Sequence, residues 1–434
     1  MLDILRLEGF RPVDIQSSLG VILIDGEVPT PEIVCCPQCA KPMYRHGYRS
    51  IECADTPLEM QPVRIRVEKP RYRCQSCGKT VTVELPFLDE KRRATRRLVE
   101  AIRKRCLKRT FRGLAEETGL AVNTIKNIAL DLIADLEATV HYETPVIMGI
   151  DEVNLAGGYR GIITNLATNS IFDMLEYRTQ AHMKPFFEKL PDREKVEWVC
   201  TDMWRPFKES FGPFLPNARL VIDKFHVVRM ASDALDDERK KHQATLSQSE
   251  RVKVKKSVRW LTLKRPASLI GSERKALDAV RELIPNLAEA YDIKEAFYSI
   301  YDAPDKTSAK QAFSDWESSL PDGRMEKFRK LAKTVHNHYE DIFAYWDAPY
   351  RITNAYTEGL NGLIKVANRM GRGYSYEIIR AKALYAEHAR KVATGLVPVA
   401  DTPEGTSTTG RLRKVEYGPY IPTLAEMSED DGIA

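Results

Sequence analysis

The 434-residue chain has no run of about eighteen uncharged apolar residues, the length that a membrane-spanning helix needs. Its first residues, MLDILRLEGF, also lack the basic-then-apolar pattern of a signal peptide. We therefore expect a cytoplasmic protein without a membrane partner. Because cysteines stay reduced in that compartment, closely spaced pairs among the eight cysteines predict metal sites rather than disulfides.

The chain also lacks a strong overall charge, since 66 Lys and Arg stand against 61 Asp and Glu. The charge is unevenly distributed, however, and eleven basic residues face three acidic ones between Asp89 and Arg112. Such a segment favours contact with phosphate, although a solvated basic helix face would have the same composition. With 43% apolar residues, the chain is long enough for two to four domains.

Hydrophobic periodicity and turn residues divide the chain into segments of different type. Alternating patterns between cysteines predict a small β unit, and helical periodicity follows it. After Pro145, five apolar runs (VIMGID, YRGIITNLA, SIFDMLEY, Val196–Cys200 and Arg219–Ile222) predict a mixed α/β sheet. The predicted segments are a lead-in (1–32), the β unit (33–87), a helical unit (88–142), the first part of the α/β core (145–226), an all-helical insertion (227–345), the last part of the core (346–394) and a flexible tail (395–434).

Two Cys-x2-Cys pairs, Cys36/Cys39 and Cys74/Cys77, lie in the β unit. Four thiolates complete the tetrahedral shell of Zn²⁺ and leave no open position, so we expect a structural zinc ribbon. Other arrangements remain open: Cys35 could replace Cys36, His46 and Cys53 are weaker candidates, and the cysteines could be reduced core residues without metal.

The segment FRGLAEETGLAVNTIKNI fits a helix-turn-helix, with Gly119 at the turn. In that arrangement the second helix would present polar side chains to the major groove of double-stranded DNA, where Asn can bind adenine and Lys can reach guanine or phosphate. An ordinary helical hairpin would show the same apolar pattern. The candidate DNA contacts are Asn123, Thr124, Lys126 and Asn127, with Arg109 and Arg112 from the basic segment.

Acidic residues end two of the predicted strands. Asp151 follows the first strand, and Asp202 follows the fourth in the sequence VCTDMW. If these strands are neighbours, two carboxylates meet at one edge, which is costly unless a cation neutralises them. Two Mg²⁺ or Mn²⁺ ions would do so and could act on a phosphodiester. Single strand-end Asp residues are also common turn formers, and Asp223, after the fifth strand, is a rival to Asp202.

A third carboxylate is expected from the late helix in RITNAYTEGLNGLIKVANRMGRGY. Glu358 is the candidate, and spacings of three and four residues place polar neighbours on its side of the helix. This side could hold a scissile phosphate, or it could be an ordinary solvated face. The other candidate contacts on it are Asn354, Asn361, Lys365 and Arg369, while His226, three residues after Asp223, could orient DNA or simply begin a helix.

Together, CPQC, RYRCQSCGK, GIDE, TDMW, DKFHVV and TNAYTEGLNGLIK resemble the DDE transposases of bacterial insertion sequences, most closely the ISL3 family, over residues 33–391. The resemblance implies an RNase H-like core with a helical insertion. It also implies that Asp151, Asp202 and Glu358 are the catalytic triad, and that Asp223 and His226 match an acid-x-x-His signature of related groups.

On this basis we expect a nucleoid-associated enzyme that binds the terminal inverted repeats of its element, cleaves there and transfers the strand to target DNA with Mg²⁺ or Mn²⁺. Two ends must be joined, so we expect a dimer or a larger homo-oligomer. A non-catalytic DNA-binding regulator and an RNase H-like nuclease without strand transfer are the alternatives.

Overall fold

The computed structural model describes residues 5, 7–31, 33–155, 157–203, 211–248, 258–259 and 261–393, with the backbone alone for 387–393. The predicted tail, 395–434, lies outside the described residues. No helix within the described ranges is long and apolar enough to cross a membrane.

The N-terminal unit is a five-stranded sheet with the order β1-β2-β4-β3, in which β5 pairs with β4. Its apolar core is formed by residues such as Ile24, Val63 and Ile65. β2 pairs in parallel with β4 and antiparallel with β1, so residues 11–27 of the predicted lead-in belong to this sheet, which corrects the predicted boundary. The strands are β1 (Arg11–Ser18), β2 (Val21–Glu27), β3 (Tyr44–Leu58), β4 (Gln61–Arg73) and β5 (Thr80–Thr82).

Three helices follow: α1 (Arg96–Arg103), α2 (Phe111–Thr118) and α3 (Val122–Thr139). The side chains of Thr95 and Thr110 cap the first two by accepting backbone N–H bonds, as threonine at a helix start commonly does. Gly119 ends α2 in the left-handed region, with φ of 67°, which permits the tight turn into α3.

The second sheet has the order β10-β9-β6-β7-β8. The first three strands in chain order form an antiparallel meander, and β9 and β10 then add in parallel to the side of β6. All five predicted strands are present, so the predicted mixed sheet is confirmed. The elements are β6 (Ile147–Leu155), β7 (Gly158–Asn165), β8 (Ser170–Leu175), α4 (Gln180–Lys189), β9 (Trp198–Thr201) and β10 (Arg219–Ile222).

The rest of the described chain is helical. The largest apolar cluster joins the insertion to the sheet, since it includes Cys200 and Val221 from the strands as well as Phe297 and Phe328 from the helices. The first helix after the sheet begins at Lys224, three residues before the predicted start of the insertion at 227. The helices are α5 (Lys224–Ala244), α6 (Gly271–Leu283), α7 (Pro285–Ile300), α8 (Lys306–Ser318), α9 (Glu326–Asn337), α10 (Tyr339–Phe343), α11 (Ala355–Met370) and α12 (Tyr376–Ala393).

Candidate active site

Three acidic residues lie in one row across neighbouring parallel strands: Asp202 and Asp223 follow the ends of β9 and β10, whereas Asp151 lies inside β6, just beyond the residues that pair with β9. β6, β9 and β10 pair in parallel, with Gly149 opposite Cys200. Continued past the strand ends, this register aligns Asp151, Asp202 and Asp223. The predicted pair of acids is therefore a row of three, and the charges of Asp202 and Asp223 both act on Asp151. Among the described residues, neither Asp151 nor Asp202 belongs to a group of three ligand atoms within 4.8 Å of one another.

Asp151 is held in place from α11. Its side chain is buried, and Oδ2 accepts a hydrogen bond of 2.9 Å from Nδ2 of Asn361 on α11. Burial raises the pKa of Asp151 to about 6; His226 opposes this rise, while the negative charges of Asp202 and Asp223 add to it. The raised pKa means that the surroundings disfavour the negative charge of Asp151, and a bound cation would offset this cost.

Asp223 is fully buried between β10 and α11. Its Oδ1 accepts a hydrogen bond of 3.1 Å from the backbone N–H of Asn354, while Oδ2 lies 3.4 Å from Nδ1 of His226. That approach lacks hydrogen-bond geometry, and neither Oδ2 nor Nδ1 has another hydrogen-bond partner among the described residues. The two groups thus face each other as an ion pair without hydrogen-bond geometry; burial lowers the pKa of His226, but Asp223, Asp202 and Glu358 together raise it above its ordinary value.

Glu358 lies in the first turn of α11, facing the row of acids. Its Oε1 is 4.0 Å from Nε2 of His226. Burial, followed by the charge of Asp223, raises the pKa of Glu358 to about 7 against the opposing effect of His226. One ligand atom each from Asp223, His226 and Glu358 lie within 4.8 Å of one another, a spacing that could hold a metal ion.

The start of α11 is fixed to the sheet by buried polar contacts. Nδ2 of Asn354 donates to the carbonyl of Ile150 at 3.1 Å, and its Oδ1 accepts from Oγ1 of Thr357 at 2.6 Å. Thr357 in turn lies 2.7 Å from the hydroxyl of Thr164 on β7. The sequence gives no reason to single out either threonine, because their contact arises only from the packing of α11 against β7.

These contacts correct two expected DNA contacts. Asn354 is fully buried, and Asn361 is nearly so. The side-chain amide of Asn354 donates to the carbonyl of Ile150. The side-chain amide of Asn361 donates to Asp151 and to the carbonyl of Glu152. Both residues position the acids from inside the site instead of facing DNA. Because Asn is common at helix starts, the position of Asn354 directly before a helix could have indicated a structural role.

Lys365 and Arg369 are exposed on later turns of α11. The charge of Lys365 lowers the pKa of Asp151, which shows that it lies close enough to act on the site. A phosphate placed against the acidic row would therefore meet a positive helix face on one side.

The zinc ribbon cysteines form one cluster. Sγ of Cys36 lies 3.5 Å from Sγ of Cys77, and Sγ of Cys39 lies 3.5 Å from Cys74 and 3.8 Å from Cys77. Thiolates bound at about 2.3 Å around a tetrahedral ion are about 3.8 Å apart, so the cluster fits structural Zn²⁺. Three other candidates lie outside this cluster: Cys35 and His46 are exposed, and Cys53 is buried in the apolar core of the sheet.

The helix-turn-helix has the predicted packing, with Ile125 and Ile128 buried against the other helices. On the opposite side of α3, Asn123, Lys126 and Asn127 are exposed, whereas Thr124 is half-buried. Both predicted arginine contacts are exposed but form ion pairs within the unit, Arg109 with Glu117 at 3.4 Å and Arg112 with Glu116 at 2.9 Å.

Comparison with protein families gives three matches in chain order. Residues 33–77 match the zinc finger of the transposases of IS204, IS1001, IS1096 and IS1165, and residues 83–133 match the helix-turn-helix domain of transposase family ISL3. Residues 148–383, more than half of the chain, match the ISL3 transposase domain.

Individual transposases are similar along most of the chain. The transposase for insertion sequence element IS1001 of Bordetella parapertussis is 24% identical over 375 residues, which cover 83% of this chain and 91% of the relative. The transposase for IS1557 of Mycobacterium tuberculosis is 23% identical over 341 residues, covering 72% and 76%. The order of zinc ribbon, helix-turn-helix and acidic mixed-sheet core, together with these matches, establishes that the chain belongs to the ISL3 family of DDE transposases, DNA-binding enzymes that cleave and transfer DNA.

Proposed function

We propose that Asp151, Asp202 and Glu358 hold the divalent metal, Mg²⁺ or Mn²⁺, with which this transposase cleaves the ends of its element and joins them to target DNA. The observation that carries the proposal is the convergence of acids at the edge formed by β6, β9 and α11. Asp151 and Glu358 reach this edge from elements far apart in the chain, and burial and mutual repulsion raise both of their pKa values.

These residues would hold two such ions, which would supply activation of the attacking water or 3′-hydroxyl and stabilisation of the leaving oxygen.

The residues of the chain prepare this site in two ways. Asn361 orients Asp151 by its 2.9 Å hydrogen bond, and Asn354 fixes the first turn of α11, which carries Glu358. Ionised carboxylates are needed to bind a hard cation, so metal binding should strengthen as pH rises through the raised pKa values of about 6 and about 7.

DNA contacts are proposed on two surfaces. The exposed Asn123, Lys126 and Asn127, with Thr124 at their margin, would enter the major groove of the terminal inverted repeats. Lys365 and Arg369 would bind the phosphates on either side of the bond that is cut. Because two ends must be joined to one target, we propose that the protein acts on the bacterial nucleoid as a dimer or a larger homo-oligomer.

The test is an incubation of the full chain with end-bearing DNA, a target plasmid and Mg²⁺. Joined product supports transposition, cleavage without joining supports a nuclease, and a mobility shift alone supports a DNA-binding regulator. Asp151→Asn and Glu358→Gln should each abolish cleavage and retain end binding. Asp322→Asn, a change of a fully exposed acid in the helical insertion, is the matched control and should cleave normally. Cleavage by both site variants would overturn the assignment.

A further inference from the structure

We propose that Asp223, His226 and Glu358 form a separate cation position with mixed nitrogen and oxygen ligands, suited to a first-row transition ion such as Mn²⁺. The position lies beside the Asp151–Asp202 pair and shares Glu358 with it. Its role in transposition rests on the proposed function, but its ability to bind a cation does not.

The orientation of Asp223 is the first reason. This residue directly precedes α5, where an aspartate usually accepts a hydrogen bond from the first backbone N–H groups of its own helix. The Asp223 side chain makes no such bond. Its carboxylate instead turns toward α11, where Asn354 holds Oδ1 and leaves Oδ2 directed at His226.

The second reason is the cost of the unsatisfied atoms. Asp223 has no exposed surface, yet Oδ2 has only the 3.4 Å ion pair with Nδ1 of His226, and neither atom has a hydrogen-bond partner in the described part of the chain. A buried polar atom without a partner is destabilising, and a buried charge is more so. A cation bound by Oδ2 of Asp223, one imidazole nitrogen of His226 and Glu358 would neutralise both carboxylates and replace the Asp223–His226 ion pair.

The third reason is the geometry and type of the ligand set. The three ligand atoms lie within 4.8 Å of one another, so a small adjustment of side chains brings each to coordination distance of one ion. Carboxylates alone suit Mg²⁺, whereas an imidazole nitrogen favours transition ions. His226 therefore distinguishes this position chemically from one built on aspartates only.

Pulsed electron paramagnetic resonance of the zinc-loaded full chain with added Mn²⁺ tests the proposal, because nitrogen bound directly to Mn²⁺ modulates the signal. The wild-type protein should show imidazole coupling. His226→Asn should lose this coupling and bind one Mn²⁺ at least about tenfold more weakly. The control is His336→Asn, a change of an exposed histidine on α9, which should leave the spectrum unchanged.

Bound Mn²⁺ without nitrogen coupling in the wild type, or coupling that survives in His226→Asn, would overturn the proposal. The wild-type spectrum needs no substitution, so poor folding of a variant does not prevent a decision. Asp151→Asn separates this inference from the proposed function. That variant should keep the nitrogen coupling while losing cleavage. If Asp151→Asn still cleaves DNA, only the proposed catalytic triad is contradicted. If an active wild-type protein shows no nitrogen coupling, only the proposed cation position at His226 is contradicted.

Discussion

The Asp151→Asn substitution should stabilise the metal-free catalytic unit while it abolishes cleavage. Asp151 ionises inside a cluster that already holds Asp202, Asp223 and Glu358, and its environment raises its pKa from 3.8 to about 6. Asparagine has nearly the same shape, and its amide oxygen can still accept the hydrogen bond from Asn361. The substitution therefore removes a destabilising charge without removing the contact that orients the side chain.

The magnitude follows from linkage. A raised pKa means that the folded protein binds more protons than the unfolded chain between the two values, so wild-type stability falls as pH rises from about 4 to about 6. A rise of about two pKa units corresponds to about 3 kcal/mol, an upper bound because the site can admit water. For a unit of this size that is a rise in Tm of about 6–12 °C. The gain should vanish below about pH 4, where the wild-type carboxyl group is also neutral.

Differential scanning calorimetry measures this effect, with zinc retained and Mg²⁺ and Mn²⁺ omitted. The variant should unfold at a higher temperature than the wild type at pH 8, and the gap should close at pH 4. Added Mn²⁺ should raise the Tm of the wild type more than that of the variant, because the ion binds the ionised site. A gap that is independent of pH, or a variant that is less stable at pH 8, would refute the electrostatic reasoning.

Three further outcomes are expected. Cys39→Ser should lose the single zinc of the ribbon in elemental analysis, whereas Cys35→Ser should keep it, since only the former lies in the cysteine cluster. Gly149→Ala should lower the free energy of unfolding in urea by about 1–3 kcal/mol, because its Cβ would lie 2.4 Å from Oγ1 of Thr164. Lys126→Ala should weaken binding to end DNA in gel-shift titrations. If this lysine contacts phosphate, the slope of log affinity against log salt concentration should also fall in magnitude by about one. Unchanged affinity would show that Lys126 is not part of the interface.

Elements with a buried face were predictable from the sequence, and elements without one were not. β6 has five consecutive buried residues at its start, and the matching run VIMGID predicted it. β1 was missed because its alternation of apolar and polar residues is limited to Val13–Gln16, and seven of its eight residues are exposed. Pro12 also argued against a strand, although proline is tolerated where a strand lies at the edge of a sheet.

The candidate site divides in the same way. Asp151 and Asp202 could be proposed because each closes an apolar run of the sequence, which is a local signal. The role of Asn354 depends on Ile150, 204 residues earlier, so no local pattern could separate a buried positioning amide from an exposed DNA contact. The choice between Asp202 and Asp223 stayed open for a related reason: both follow strands, and only the pairing of those strands shows that the two acids are neighbours.

The last helix explains how DNA recognition and catalysis are held together. Lys382 on α12 is buried, and its Nζ donates to the carbonyls of Cys106, Leu107 and Arg109 at 2.7, 3.1 and 3.0 Å. Three acceptors offset the cost of burying an ammonium group. The apolar residues of α12 complete the core of the helix-turn-helix, while Arg380 binds Asp173 on β8. The separation between the exposed face of α3 and the acidic edge is therefore set by packed helices and not by a flexible linker.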